Sequence, residues 1–148
     1  MNDSTGIAAA FLLLSTAGTL VERIGAGVRD RGFDDLRPAC GFAFARIAPS
    51  GATVSELAAH LGVTKQAASQ LTEELVAKGY VARGPHPADA RAKLLTLTDR
   101  GWEAARAAEQ AAAEVVEEWS KTLGRDRVAA LAADLSRIAT PGRLRPIW

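Results

Sequence analysis

The sequence contains little of the chemistry from which catalytic and metal sites are built. It has one cysteine and two histidines in 148 residues. A single cysteine excludes an internal disulfide framework, and with only two histidines it makes no credible zinc site. Neither His60 nor His86 lies in a serine or cysteine nucleophile motif. We therefore predict no catalytic residue, no metal site and no cofactor, and we expect that the protein is not an enzyme.

The chain also lacks an excess of charge of one sign. It has 18 lysines and arginines against 17 aspartates and glutamates, which gives a formal net charge of +1. A protein that coats nucleic acid indiscriminately would be far more basic. Charge is instead segregated along the chain: residues 83–100 contain Arg83, Arg91, Lys93 and Arg100, and residues 103–118 after them contain five glutamates. This clustering favours specific docking on nucleic acid.

Long apolar runs are absent as well. Residues 7–14 are apolar, but this run is too short to span a bilayer and lacks the basic start of a signal peptide. We therefore expect no membrane partner. Because one cysteine is compatible with a reducing compartment, we expect a cytoplasmic location.

Residues 53–79 have the pattern of two short helices joined by a tight turn. Thr53 and Glu56 have the spacing of a capping box, and Gly62 stands where the first helix must end in a left-handed residue. Thr64 can cap a second helix that runs to about Lys78. Apolar residues recur at helical spacing in both segments, at Val54, Leu57, Ala58 and Leu61 and then at Ala68, Leu71 and Leu75. The pattern predicts a helix-turn-helix, although an ordinary pair of bundle helices is an alternative.

The residues after Gly79 change from helical to strand periodicity. Residues 80–83 are compatible with a β-strand, and residues 95–98 alternate apolar and polar side chains. Between them, Gly84, Pro85 and Pro87 predict a loop. A β-ribbon that directly follows a helix-turn-helix is typical of a winged helix, a module that reads duplex DNA. A solvated hairpin without a DNA contact is the alternative.

Helices are predicted on both sides of this unit, over about 4–30 and 38–47 before it and about 98–123 and 125–138 after it. The first helix and the last two are too apolar to be only packing partners of the DNA-reading unit, and a helix that is apolar on more than one face needs a second surface. A second copy of the chain is the economical partner, so we predict a two-fold homodimer, with a monomeric bundle as the alternative. The predicted fold class is mainly α with a small β-wing.

With its elements in this order, the chain resembles the MarR family of bacterial transcriptional regulators over essentially its whole length. The most specific motifs are residues 57–71 of the helix-turn-helix, residues 75–81, residues 87–91 of the wing, and residues 94–98 followed by Gly101. The resemblance implies a homodimer that binds a palindromic operator in double-stranded DNA and usually represses transcription.

The same resemblance implies a single MarR-like domain over residues 1–148. Within it, residues 36–98 form the winged helix-turn-helix lobe. Residues 4–30 and 99–140 form the helical dimerisation region.

The candidate DNA contacts are polar and cationic residues of the second helix and of the wing. From the helix we expect base or phosphate contacts by Thr64, Lys65, Gln66, Ser69 and Gln70. From the wing we expect contacts to phosphates or to the minor groove by Arg83, Arg91 and Lys93. Asp89 is expected to hold Arg91 in an extended position.

Regulation is the point on which the sequence leaves alternatives open. The resemblance implies a small aromatic or anionic effector between the dimerisation region and the DNA-binding lobe. The candidate effector residues are Phe11, Leu14, Phe42, Arg46 and Trp102, for which ordinary core packing is the alternative. A thiol-based redox sensor through Cys40 is another alternative, although a free cysteine more often is a small buried apolar residue. The last alternative is an architectural winged-helix protein without an effector, against which the net charge of +1 argues.

Overall fold

A computed structural model describes residues 3–140 as six helices and one two-stranded antiparallel sheet. The elements in chain order are α1 (Asp3–Asp30), α2 (Pro38–Ile47), α3 (Val54–Leu61), α4 (Lys65–Ala77), β1 (Val81–Pro85), β2 (Lys93–Leu97), α5 (Asp99–Leu123) and α6 (Arg125–Ile138). The predicted fold class, mainly α with a small β-wing, is confirmed. Residues 140–142, whose Thr-Pro-Gly sequence predicts the end of the last helix, lie mostly outside the described residues.

The helix-turn-helix has the capping contacts that its sequence predicts. The Thr53 hydroxyl accepts the Glu56 amide at 3.2 Å, and the Glu56 carboxylate accepts the Thr53 amide at 2.8 Å. Gly62 ends α3 with φ of 67°, in the left-handed region that glycine adopts without strain. The Thr64 hydroxyl accepts the Ala67 amide at 3.1 Å and caps α4. Both helix starts and the turn between them are therefore fixed by local sequence.

The core of the DNA-binding lobe lies between α2, α3, α4 and the sheet. It contains the apolar residues that the helical spacing selects, together with side chains from α2 and the strands: Phe44, Ile47, Leu57, Leu61, Leu71, Leu75, Tyr80, Val81 and Leu95. Full burial of side chains of this size contributes roughly 1.5–3 kcal/mol each. This core fixes which face of α4 remains exposed.

The sheet is slightly longer than the sequence predicts. Gly84 and Pro85 lie in β1 opposite Leu94 and Lys93, so the prediction that both belong to the loop is wrong. Proline is tolerated at this position because β1 is an edge strand and Pro85 is its last residue.

The other edge of the sheet is tied to the segment before α3. Ala52 and Leu95 exchange both backbone hydrogen bonds, at 3.1 and 2.8 Å. The adjacent Gly51 has φ of 74°, and a Cβ there would lie 2.8 Å from the Leu95 carbonyl oxygen. The close approach of the chain to β2 therefore requires glycine at this position.

A second helical unit consists of α1, α5 and α6. Gly27 lets α1 approach α5 closely, because a Cβ at Gly27 would lie only 2.6 Å from that of Ala111. Arg23 pairs with Glu118 at 2.7 Å on the same pair of helices. Both groups of this ion pair are exposed, so solvent screens their attraction.

Two apolar surfaces of this unit have no packing partner within residues 3–140. One lies in the first turns of α1, where the exposed side chains are Ile7, Phe11, Leu12, Leu13 and Leu14. The other is on α6, in which no residue is buried and both Leu131 and Ile138 are exposed. Surfaces of this kind mark an interaction site.

The length of α1 corrects one expectation from the sequence. The segment 7–14 is part of a longer helix, and residues 4–30 are long and apolar enough to cross a membrane by length and composition, with a mean hydropathy of 1.6 over the most apolar stretch. The prediction that this part of the chain is too short for a membrane is therefore wrong for the helix as a whole. A core helix of a non-membrane protein satisfies the same criterion, so length and composition alone carry little weight.

Gly101 offers a test of how tightly α5 is packed on the base of the wing. A Cβ at Gly101 would lie 2.2 Å from the Tyr80 carbonyl oxygen and 3.2 Å from the Leu97 side chain. We expect Gly101→Ala to destabilise the fold by roughly 1–3 kcal/mol, because backbone must move to make room. Urea denaturation at equal protein concentration measures this change.

Gly41→Ala is the matched control, because Gly41 is helical and exposed, and a Cβ at this position would meet no other atom within 4 Å. It should be neutral or stabilise by up to about 1 kcal/mol. Equal stability of Gly101→Ala and the unmodified protein would contradict close packing of α5 against the wing base.

Candidate nucleic-acid interface

The exposed face of α4 carries most of the predicted base-reading residues. Ala68, Leu71 and Leu75 are buried, which turns the opposite face of the helix to solvent. On that face Lys65, Gln66 and Gln70 are exposed and Ser69 is half-buried. Within residues 3–140 neither glutamine amide makes a hydrogen bond to another part of the chain. Their donors and acceptors are therefore available to an external partner.

Thr64 has a structural role that limits what it can do in binding. Its hydroxyl oxygen accepts the Ala67 amide, so one acceptor site is used by the helix cap. A threonine hydroxyl still has its own proton to donate. Thr64 can thus cap α4 and donate a hydrogen bond to a phosphate at the same time.

The wing leaves the end of α4 in a fixed direction. The Thr98 hydroxyl donates to the Gly79 carbonyl at 2.6 Å and accepts the Gly101 amide at 3.1 Å. The Thr98 amide donates to the Tyr80 carbonyl at 3.1 Å. Thr98 therefore connects the end of the reading helix, the returning strand and the start of α5.

The wing tip consists of two consecutive turns, each capped by a side chain. His86 Nδ1 accepts the backbone amides of Ala88 and Asp89, both at 3.1 Å. The Asp89 carboxylate then accepts the Arg91 amide at 2.9 Å, and the Ala92 amide donates to the Asp89 carbonyl at 3.2 Å. The tip therefore has a defined shape although it is exposed.

These contacts refine the predicted role of Asp89 and reveal one for His86. Asp89 contacts the main chain of Arg91, so any positioning of the guanidinium occurs through the backbone. Sequence reasoning missed the capping role of His86. The sequence signal for it is a side chain with an acceptor directly before a proline. The first backbone amides after it, those of Ala88 and Asp89, lie two and three residues further on. Aspartate, asparagine or serine usually caps a turn from such a position.

The positive side chains of the wing differ in their availability. Arg83, Arg91 and Lys93 are exposed on the strands and the tip, and within residues 3–140 none of them forms an ion pair. Arg100, in contrast, lies over the Tyr80 ring at 4.7 Å and donates to its hydroxyl at 3.0 Å. Arg100 is therefore a structural residue of the wing base, whereas the other three can meet phosphates.

The candidate effector residues are not assembled into one site by a single chain. Because Gly27 meets Ala111 and Arg23 meets Glu118, α1 runs from the lobe along α5 and away from Trp102. Phe11 lies about 24 Å further along the α1 axis than Gly27, in the direction away from Trp102. Phe11 and Leu14 are 68% and 57% exposed, and Trp102 is 41% exposed.

The two α2 residues of that set are engaged in the lobe. Phe42 packs against its core, and the Arg46 guanidinium donates to the Gly51 carbonyl at 3.0 Å and pairs with Glu56 at 3.3 Å. A site that contains all five candidate residues would have to be completed by a second copy of the chain.

Cys40 lies in the core of the lobe rather than on a reactive surface. Its side chain is fully buried on α2, and this burial raises the pKa of the thiol. Since the thiolate is the reactive form, both observations disfavour oxidation chemistry at this position.

The lobe and its wing define the class of protein: a winged helix-turn-helix DNA-binding protein. Residues 38–92 match the MarR family. The fold is similar over 88% of the chain to wild-type MarR from E. coli in its apo form, with 25% identity, 96% of that chain covered and a TM-score of 0.70. A transcriptional regulator from Thermotoga maritima, Tm0710, matches with 25% identity over 88% of this chain and 91% of its own, with a TM-score of 0.65.

A third similar structure contains nucleic acid. FabT from Streptococcus pneumoniae, in complex with DNA, has 22% identity, a TM-score of 0.71, and coverage of 92% of this chain and 94% of its own. No match to the chain is found among curated protein sequences. Together, the match of residues 38–92 and the near whole-length structural similarity support a MarR-family winged-helix transcriptional regulator.

The buried state of Cys40 gives a direct test of the redox alternative. We expect Cys40 to react with a neutral alkylating reagent at neutral pH much more slowly in the folded protein than in the same protein unfolded in urea. Mass spectrometry of quenched samples measures both rates on the single cysteine. Comparable rates in the two states would restore the thiol-based sensor as an explanation.

Proposed function

We propose that this MarR-family protein is a sequence-specific transcriptional repressor that binds an inverted-repeat operator as a homodimer. The observation that carries the proposal is the pairing of an exposed polar face on α4 with a cationic wing held rigidly beside it. The side-chain amides of Gln66 and Gln70 can form hydrogen bonds with adenine edges in the major groove, and the Lys65 ammonium can contact guanine edges or phosphates. The three exposed cations of the wing can contact phosphates or enter the minor groove.

The homodimer in this proposal is supported by the unpartnered apolar surfaces. The first turns of α1 and the whole of α6 expose apolar side chains that a second copy can cover. Two reading lobes related by two-fold symmetry would then face half-sites about 34–36 Å apart on one side of the duplex. The apolar α1 thus becomes a dimerisation helix, which agrees with a cytoplasmic protein that acts on DNA and has no membrane partner.

A small effector is the second element of the proposal. Phe11, Leu14 and Trp102 present exposed apolar surface near the predicted dimer region, and an aromatic anion is a suitable occupant. An effector releases DNA only if it binds the DNA-incompetent arrangement of the two lobes better than the competent one. The five residues named for this site therefore act as a site only in the dimer.

The base-reading part of the proposal is tested with Gln66→Ala. We expect a loss of roughly 1–3 kcal/mol on a duplex selected from random sequences, and little loss on unselected duplex, because a bidentate contact to a base is sequence-dependent. Competition binding at fixed salt measures both. An equal loss on the two kinds of DNA would show that Gln66 does not read sequence.

Arg91→Ala separates the contribution of phosphate contacts to DNA binding from the contribution of base contacts. Loss of the Arg91 guanidinium should weaken binding to both duplexes alike. It should also lower the slope of log binding constant against log salt concentration by about 1, because one counterion fewer is released. Lys121→Ala is the charge-matched control: it is an exposed cation near the far end of α5, about 30 Å of helix from the wing. If both variants leave the salt slope unchanged, the wing makes no phosphate contact.

Assembly is tested by removal of residues 125–148 and by Phe11→Glu. Both changes should convert the dimer to monomers that bind the selected duplex far more weakly, because half of the two-fold site is lost. Phe11→Glu is the control for a deletion that misfolds: the Phe11 side chain is 68% exposed in one chain, so a glutamate there should leave the fold of the single chain intact. Sedimentation equilibrium measures the mass. A fully dimeric, fully binding Phe11→Glu protein would exclude α1 from the interface.

A further inference from the structure

We propose that His86 is the positioning residue of the wing tip, and that protonation of its Nδ1 weakens the grip of this regulator on DNA. The proposal rests on the proposed wing contact to DNA and adds to it a residue and a pH dependence.

The geometry assigns the neutral form of His86 to the capped wing. Pro87 has no amide proton, so the first free amides after His86 belong to Ala88 and Asp89, and both donate to His86 Nδ1 at 3.1 Å. A ring nitrogen that accepts hydrogen bonds carries no proton, so the proton of the neutral ring is on Nε2. The capped tip therefore requires one tautomer of one protonation state.

The cap at His86 controls the position of Arg91 through Asp89. The same Asp89 whose amide is held by His86 accepts the Arg91 amide with its carboxylate at 2.9 Å. The two turns are thus linked in series. When the first turn opens, the acceptor that fixes the backbone of Arg91 is no longer held in place.

Protonation removes the acceptor. An imidazolium has a proton on both nitrogens, so it cannot accept the Ala88 and Asp89 amides. The two amides turn to water, and the tip loses the restraint that shapes it.

Charged groups around His86 attract a protonated ring. Glu56 at the start of α3 is close enough for its pKa to be affected: that pKa is lowered chiefly by the hydrogen bond from the Thr53 amide, and to smaller extents by Arg46 and His86. Arg46 on α2 is the partner of Glu56, and the charged residues nearest to His86 along the wing are Asp89 and Arg91 in the tip, Arg83 on β1, and Lys93, which lies opposite Pro85. The Glu56 carboxylate attracts an imidazolium at His86 and so competes with the position in which the ring caps the turn.

The added positive charge acts in the opposite direction, since it attracts phosphates. Glu56, whose carboxylate interacts electrostatically with His86, offsets part of that attraction, and the loss of the turn outweighs the rest. We infer that acidification weakens DNA binding through His86.

The test compares three proteins across pH 5.5–8.0 at constant ionic strength: the unmodified chain, His86→Asn and His86→Ala. Asparagine can accept the same two amides through its side-chain oxygen but does not titrate. The unmodified protein should match His86→Asn at pH 8 and bind DNA roughly 3- to 10-fold more weakly than it at pH 5.5, because only part of the loss of two hydrogen bonds is expressed in DNA binding. His86→Ala should bind weakly throughout. Because His60 and all other groups are common to the three, their contribution cancels.

Two outcomes would overturn the proposal. Parallel pH profiles of the unmodified protein and His86→Asn would show that protonation of His86 has no effect on binding. Stronger binding by the unmodified protein at low pH would show that the imidazolium is a direct phosphate contact.

A DNA-free measurement separates this inference from the proposed function. In ¹⁵N-labelled protein at pH 8, the His86 ring should be the Nε2–H tautomer, and the Ala88 and Asp89 amide resonances should move on acidification in the unmodified chain but not in His86→Asn. The opposite tautomer, or equal movement in both proteins, would reject the cap. If the tautomer is as expected but Arg91→Ala binds DNA normally, the wing contact in the proposed function fails and the capped turn stands.

Discussion

The relative placement of the candidate DNA contacts on α4 and on the wing depends on the burial of Tyr80 at the junction of α4 and β1. Its ring packs against Phe33 and Phe44, with centroids 6.2 and 5.9 Å away, and its hydroxyl donates to Asp35 at 2.6 Å. Its amide donates to the Leu75 carbonyl, and its own carbonyl accepts the Thr98 amide. One residue therefore joins the segment before α2, the reading helix, the wing and the start of α5. If this junction loosened, α4 and the wing would no longer share one orientation.

Most of the fold follows from local sequence signals. The capping box at Thr53, the left-handed Gly62 and the cap at Thr64 are short-range contacts that depend on a few neighbouring residues, which is why spacing alone predicts them. The predicted helix bounds agree with the structure because Pro38 and Gly124 stand at their ends. The extent of β1 was not predictable in this way, since Pro85 is tolerated only because β1 is the outer strand.

The candidate site was partly accessible from sequence and partly not. The exposed face of α4 follows from helical periodicity, so Gln66 and Gln70 could be named without a structure. The role of His86 has only a weak signal in the sequence, its place directly before Pro87, because the cap also depends on which ring nitrogen faces the Ala88 and Asp89 amides. The proposed effector site lies at the other extreme: α1 leads Phe11 away from α2, so its geometry depends on a second chain. Sequence thus specifies the reading surface better than the regulation of that surface.

The proposed function depends above all on two copies of the lobe reading two half-sites in two-fold register. The most direct measurement is selection of bound sequences from random duplex DNA with the full-length protein, followed by footprinting of the best duplex. We expect an inverted repeat whose half-sites are centred about 10 base pairs apart, with protection on one face of the helix. A single unrepeated half-site, or no enrichment of any sequence, would contradict the two-fold reading of DNA.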